Sequence, residues 1–117
     1  MKEKGVYETE VDGKIIGFRF GTYAGSITEE IAGCSLSNVF ISMAEGKGAM
    51  KNILHYFYGG AVDYSERKGQ QKPSLRDVGD MIDSIGFEKA KEIMKESMAG
   101  YSKNEPAPQT EGQKITE

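Results

Sequence analysis

Cysteine and histidine are nearly missing from this 117-residue chain, which has one of each, Cys34 and His55. A zinc centre needs three or four ligands, so the pair would have to recruit carboxylates at no recognisable spacing. One cysteine also excludes an internal disulfide, and neither residue sits in the local signature of a Cys-His nucleophile. Long hydrophobic runs are lacking too, since the apolar stretches fall far short of the ~20 residues that cross a bilayer. No N-terminal segment joins a basic region to an apolar run of signal-peptide length, so the expected compartment is the cytoplasm, with no membrane partner. Excess positive charge is the third absence: 15 Lys and Arg against 18 Asp and Glu give a formal net charge of −3. Neutralising phosphates takes a concentrated basic surface, so nucleic acid is not the expected partner either.

Glycine is plentiful, at 15 residues, yet neither Gly46-Lys47-Gly48 nor Gly59-Gly60 matches a Walker or dinucleotide fingerprint. Both lie between helical segments, whereas those motifs need a strand leading into the glycine-rich turn. They read as helix punctuation, with a bend expected at Gly59-Gly60.

What is present is a hairpin followed by helices. Asp12-Gly13 tolerates the positive φ of a tight turn, and Val6 to Val11 and Lys14 to Phe20 flank it as strands. Alternation places Ile16, Phe18 and Phe20 on one face and Ile15, Gly17 and Arg19 on the other. Thr22 to Ala32 reads as a helix with Tyr23, Ile27 and Ile31 near helical spacing and Gly33 as its stop. Ser35 or Ser37 caps a second helix through Val39, Phe40 and Met43. Met50, Ile53, Leu54 and Phe57 give the clearest amphipathic pattern, in a helix with Gly69 as its stop. Ser74 and Asp77 occupy capping-box positions ahead of Leu75, Val78, Ile82 and Ile85, and Phe87 to Met98 forms the last helix. The expected fold is α+β and mainly α: an N-terminal β-hairpin, about five short helices over residues 1–100, and a flexible polar tail over residues 101–117. The tail carries two prolines and one large aliphatic residue, Ile115, too little apolar surface to offset its ordering entropy.

Several groups invite a functional reading and have a simpler one. Asp77, Asp80 and Asp83 match the solvated side of a helix whose other side is apolar. Arg67, Lys68, Lys72 and Arg76 form the densest basic patch, but cations at a helix C-terminus complement its dipole without any ligand. The methionines at 43, 50, 81, 94 and 98 serve as core filler or as an adaptable surface for an apolar helix. In Tyr56-Phe57-Tyr58, three consecutive residues do not share one helical face, so at least one tyrosine should point toward a partner or solvent.

The order of these segments resembles the tail assembly chaperones of siphovirus-type bacteriophages. The resemblance rests on IIGFRFGTYA after the hairpin, Gly33 to Phe40 opening the second helix, NILHYFYGGAVDYSERKG and SLRDVGDMIDSIG. It implies a non-catalytic protein without cofactor or metal, which binds the apolar, helical tape measure protein before the tail tube polymerises around it. It further implies contact with tail tube subunits through a longer frameshifted form, host-cell cytoplasmic residence, and absence from the mature virion. The expected partner-binding residues are Phe18, Phe20, Tyr23, Tyr56 and Tyr58, facing the tape measure protein or a second copy of the chain in a homo-oligomer. Two other readings remain at this point: a small DNA-binding regulator built on Leu36 to Gly69, and an enzyme using Cys34 and His55.

Overall fold

Asp12 and Gly13 both take positive φ, 51° and 80°, the backbone that a two-residue hairpin turn matched to strand twist requires. The structure, a computed structural model, describes residues 5–104. β1 (Val6–Val11) and β2 (Lys14–Arg19) pair antiparallel from Val11↔Lys14 to Val6↔Arg19. A further backbone bond, 2.9 Å from the Phe20 N–H to the Gly5 carbonyl, extends the pairing beyond the strands. Five helices follow: α1 (Thr22–Ala32), α2 (Leu36–Ala44), α3 (Ala49–Arg67), α4 (Leu75–Ile85) and α5 (Phe87–Asn104). The domain is therefore α+β and mainly helical, with its hairpin at the N-terminus.

The helix boundaries follow from capping chemistry. Gly33 takes the left-handed conformation that ends α1, and the Ser35 hydroxyl accepts from the Asn38 N–H to open α2. The Glu29 carboxylate reaches over to the Leu36 N–H at 2.8 Å, satisfying another first-turn donor of α2. At α4 the capping box is complete, with Ser74 Oγ accepting from the Asp77 N–H and Asp77 Oδ2 accepting from the Ser74 N–H.

α3 is the axis of the molecule. Tyr56, Phe57 and every residue from Gly59 to Ser65 are buried, so the helix is covered on nearly all sides. Gly59-Gly60 does not interrupt the helix, and α3 runs through both residues. These glycines are sites of close approach instead. A Cβ on Gly59 would stand 2.3 Å from the Ala24 carbonyl oxygen, and one on Gly60 would stand 2.5 Å from the Phe20 ring. The helical cost of glycine, about 1 kcal/mol per residue, is offset by the packing this closeness allows.

Phe20 lies parallel to Tyr56 at 4.7 Å, and Phe18 meets Phe57 edge-on at 4.8 Å. On the opposite face of the hairpin Gly17 receives the Tyr64 ring, while Arg19 binds the buried Asp63 carboxylate at 3.0 Å. Arg67 completes that cluster at 3.2 Å. Removing one partner from such a site costs about 3–5 kcal/mol when the remaining charge stays buried.

Two further expectations are corrected. The buried face of α1 is Ala24, Gly25 and Thr28, not the Tyr23/Ile27/Ile31 stripe, because Ala24 and Thr28 lie close against Gly59 of α3 while Gly25 lies close against Leu36 and Tyr101. The domain boundary expected at Gly100 also moves. α5 continues past it, and Tyr101 is buried beside Tyr56 and Phe40; one aromatic seated in the core carries the helix beyond the change in composition. The remainder of the expected tail, residues 105–117, lies outside the described residues.

Tyr64 supplies a pH signature. Burial and the 2.7 Å hydrogen bond it donates to Glu8 push its hydroxyl from 10.0 up to about 12. Between those values the unfolded chain has lost this proton and the folded chain has kept it, so stability falls as pH rises. Urea midpoints measured from pH 10 to 12 should decline, and Tyr64→Phe should make that decline shallower.

Candidate partner-binding surface

α1 and α3 lie antiparallel, locked where Ala24 meets Gly59 and where Thr28 Oγ1 donates to the His55 carbonyl at 3.1 Å. With the small residues of α1 turned inward, its larger apolar residues are turned toward the outside. Tyr23, Ile27 and Ile31 of α1 face Tyr58 and Val62 of α3 across a groove of about 380 Å³. Val62 is its buried floor, Tyr58, Ile27 and Ile31 are half-buried, and Tyr23 is 49 % exposed. From Tyr58 to Glu66 the α3 wall rises about 12 Å along its axis, the length of two turns of a docked helix. Glu30, Glu66 and Lys72 occupy the rim. The Tyr23 hydroxyl donates to Glu66 Oε1 at 3.0 Å, and this bond raises the Tyr23 pKa. An apolar trough edged by two carboxylates and one ammonium suits the apolar face of an amphipathic helix with basic flanks.

The structure divides the five expected binding residues. Phe18, Phe20 and Tyr56 are core residues, exposed by 1 %, 7 % and 1 %. Assigning them to a partner surface is corrected here, because α3 and the hairpin cover each other's aromatic faces. Tyr56 also hydrogen-bonds the buried Ser97 of α5, and burial pushes its hydroxyl pKa far up. Tyr23 and Tyr58, by contrast, come together in the α1/α3 groove. Ile27, Ile31 and Val62 were missed as binding candidates. The signal was the same apolar stripe on α1, which reads as core until the small residues at 24, 25 and 28 are recognised as the inward face.

A second groove, about 420 Å³, runs between α2 and α5, with Phe40, Met43, Met94 and Met98 along its apolar side. Met94 is buried, Met43 and Met98 are half-buried, and Met50 stands 75 % exposed at the start of α3. The methionines thus divide between core and surface.

Cys34 is exposed in the turn between α1 and α2. Partial burial, then the nearby Lys51 charge, lower the His55 pKa. Among the described residues no three His, Cys, Asp or Glu side chains converge to hold a metal ion. No described helix is long and apolar enough to cross a membrane. Arg67 is engaged by Asp63, and Lys68 lies 3.9 Å from Glu8 and over the Tyr64 ring. Half of the basic patch is thereby occupied within the fold. Comparison with protein-family models, curated proteins and solved structures finds no match. The functional reading therefore rests on the residues and their placement.

Proposed function

We propose that this protein is a tail assembly chaperone of a tailed bacteriophage, holding apolar helices of the tape measure protein in the α1/α3 groove. It keeps that client soluble in the host cytoplasm and helps bring tail tube subunits to it. It does no covalent chemistry and leaves before the virion matures. The observation that carries this reading is the apolar stripe Tyr23, Ile27 and Ile31 turned away from the core to face Tyr58. A domain with a well-filled aromatic core gains nothing for its own stability by leaving that stripe partly in water. The resemblance of IIGFRFGTYA and NILHYFYGGAVDYSERKG to this chaperone family supplies the identity of the client.

Co-expression tests it. The tape measure protein from the same genome should be insoluble alone and soluble when this chain is co-produced, and the two should co-purify. The purified chain should leave duplex DNA unretarded at physiological salt, since a net charge of −3 gives little counterion release. Salt-sensitive DNA retardation together with an unrescued tape measure protein would favour the DNA-binding regulator instead.

A further inference from the structure

The charged margin of the α2/α5 groove is written in a self-complementary order. Along α5 the exposed side chains lining it are Glu88, Lys91, Glu92 and Lys95. These positions sit at i, i+3, i+4 and i+7, one stripe of the helix surface. Reversed end for end, the stripe meets its own opposite, with Glu88 facing Lys95 and Lys91 facing Glu92. A parallel, in-register pairing would instead set glutamate on glutamate and lysine on lysine. From this pattern we infer that a second copy of the chain packs on this face, its α5 antiparallel to the first, about a two-fold axis between Lys91 and Glu92.

The geometry beneath the charges fits such a contact. Phe40, Met43 and Met98 leave apolar surface open beside the stripe, and flexible thioether side chains adapt to an opposing helix. A two-fold contact uses the same patch on both subunits, so one groove per chain suffices and the assembly closes as a dimer. The Glu88–Lys91 ion pair, 3.4 Å within one helix, is exposed on both sides. Its loss on re-pairing therefore costs little. The charges set orientation and partner choice, and the apolar strip supplies most of the attraction. α2 contributes no charge to its side of the groove, so the pattern on α5 alone determines which way the partner lies. This surface is distinct from the α1/α3 groove, and the inference does not depend on the client proposed there.

Sedimentation equilibrium of the purified chain, without any client and with reductant present because Cys34 is exposed, tests this directly. The wild-type chain should pass from one to two copies of 12.8 kDa as concentration rises from micromolar toward millimolar. Glu88→Lys with Glu92→Lys makes the stripe wholly basic, and Lys91→Glu with Lys95→Glu makes it wholly acidic. Each double variant alone should stay monomeric, with an unchanged far-ultraviolet circular dichroism spectrum because all four side chains are exposed. An equimolar mixture of the two should restore dimers. A wild-type chain that stays monomeric throughout overturns the inference. So does a dimer that both double variants leave intact, or a mixture of folded variants that fails to associate.

Discussion

Gly59→Ala should lower the melting temperature by about 15 °C, from a destabilisation of about 3 kcal/mol. Replacing glycine by alanine inside a solvated helix ordinarily stabilises it by up to about 1 kcal/mol, so the sign itself is diagnostic. At position 59 the added methyl would stand 2.3 Å from the Ala24 carbonyl oxygen and 2.5 Å from Thr28 Oγ1. The first of these is backbone and cannot rotate aside. Accommodation requires α1 to move off α3, which stretches the Thr28 bond to the His55 carbonyl and widens the groove. Gly100→Ala is the control, because nothing lies within 4 Å of its Cβ position and the residue is helical and exposed. It should leave stability equal or slightly higher, as thermal unfolding by circular dichroism would show.

The second large effect separates two neighbouring tyrosines. Tyr56→Ser should cost about 4 kcal/mol, as truncation of a fully buried aromatic does, and in a domain of ordinary stability that is a large share of the total. Its ring lies between Phe20 and Tyr101 and its hydroxyl meets Ser97, so the hairpin, α3 and α5 all loosen together. Tyr58→Ser, on a half-buried side chain at the groove wall, should cost about 1 kcal/mol, the middle of the range for ordinary substitutions. Chemical denaturation of the two variants should therefore give widely separated midpoints. A similar loss in both would mean that Tyr58 is as much a core residue as Tyr56.

Those two tyrosines also mark where sequence reading succeeds and where it stops. The hairpin was legible because Asp12-Gly13 and the period-two alternation are local signals, and the cap at Ser74 was legible for the same reason, whereas at α2 the sequence offered Ser35 or Ser37 and the structure uses Ser35. Helix α4 was readable because one side of it meets solvent, with Val78 and Ile82 buried opposite Asp80 and Asp83. α3 was harder. Its first turns carry the amphipathic pattern, although Met50 of that stripe is exposed, but from Gly59 to Ser65 every residue is buried, so periodicity could not say which of Tyr56, Phe57 and Tyr58 would be reached by neighbours distant in sequence. The same limit applied to Gly59-Gly60. Glycine in a helix signals a break when nothing is known of the surroundings, and a close approach once α1 and Phe20 are placed against it. On α1 the rule that large apolar residues point inward failed, because Ala24 and Thr28 lie against Gly59 of α3 and Gly25 lies against Leu36 and Tyr101. That failure displaced Tyr23 and its stripe to the surface. Of the five residues expected on a partner surface, Tyr23 and Tyr58 line the α1/α3 groove, while Phe18, Phe20 and Tyr56, chosen for aromaticity without knowledge of their burial, lie in the core.

The α1/α3 groove can be altered without touching the aromatic core. Ile27→Glu combined with Tyr58→Ser places a charge in the α1/α3 trough and removes one of its walls, leaving Phe18, Phe20, Phe57 and Tyr56 untouched. Co-expressed with the tape measure protein, the wild-type chain should hold that client in the soluble fraction. The double variant, still folded by circular dichroism, should leave most of it in the pellet. A folded double variant that keeps the client soluble as well as the wild-type chain does would contradict the assignment of this groove.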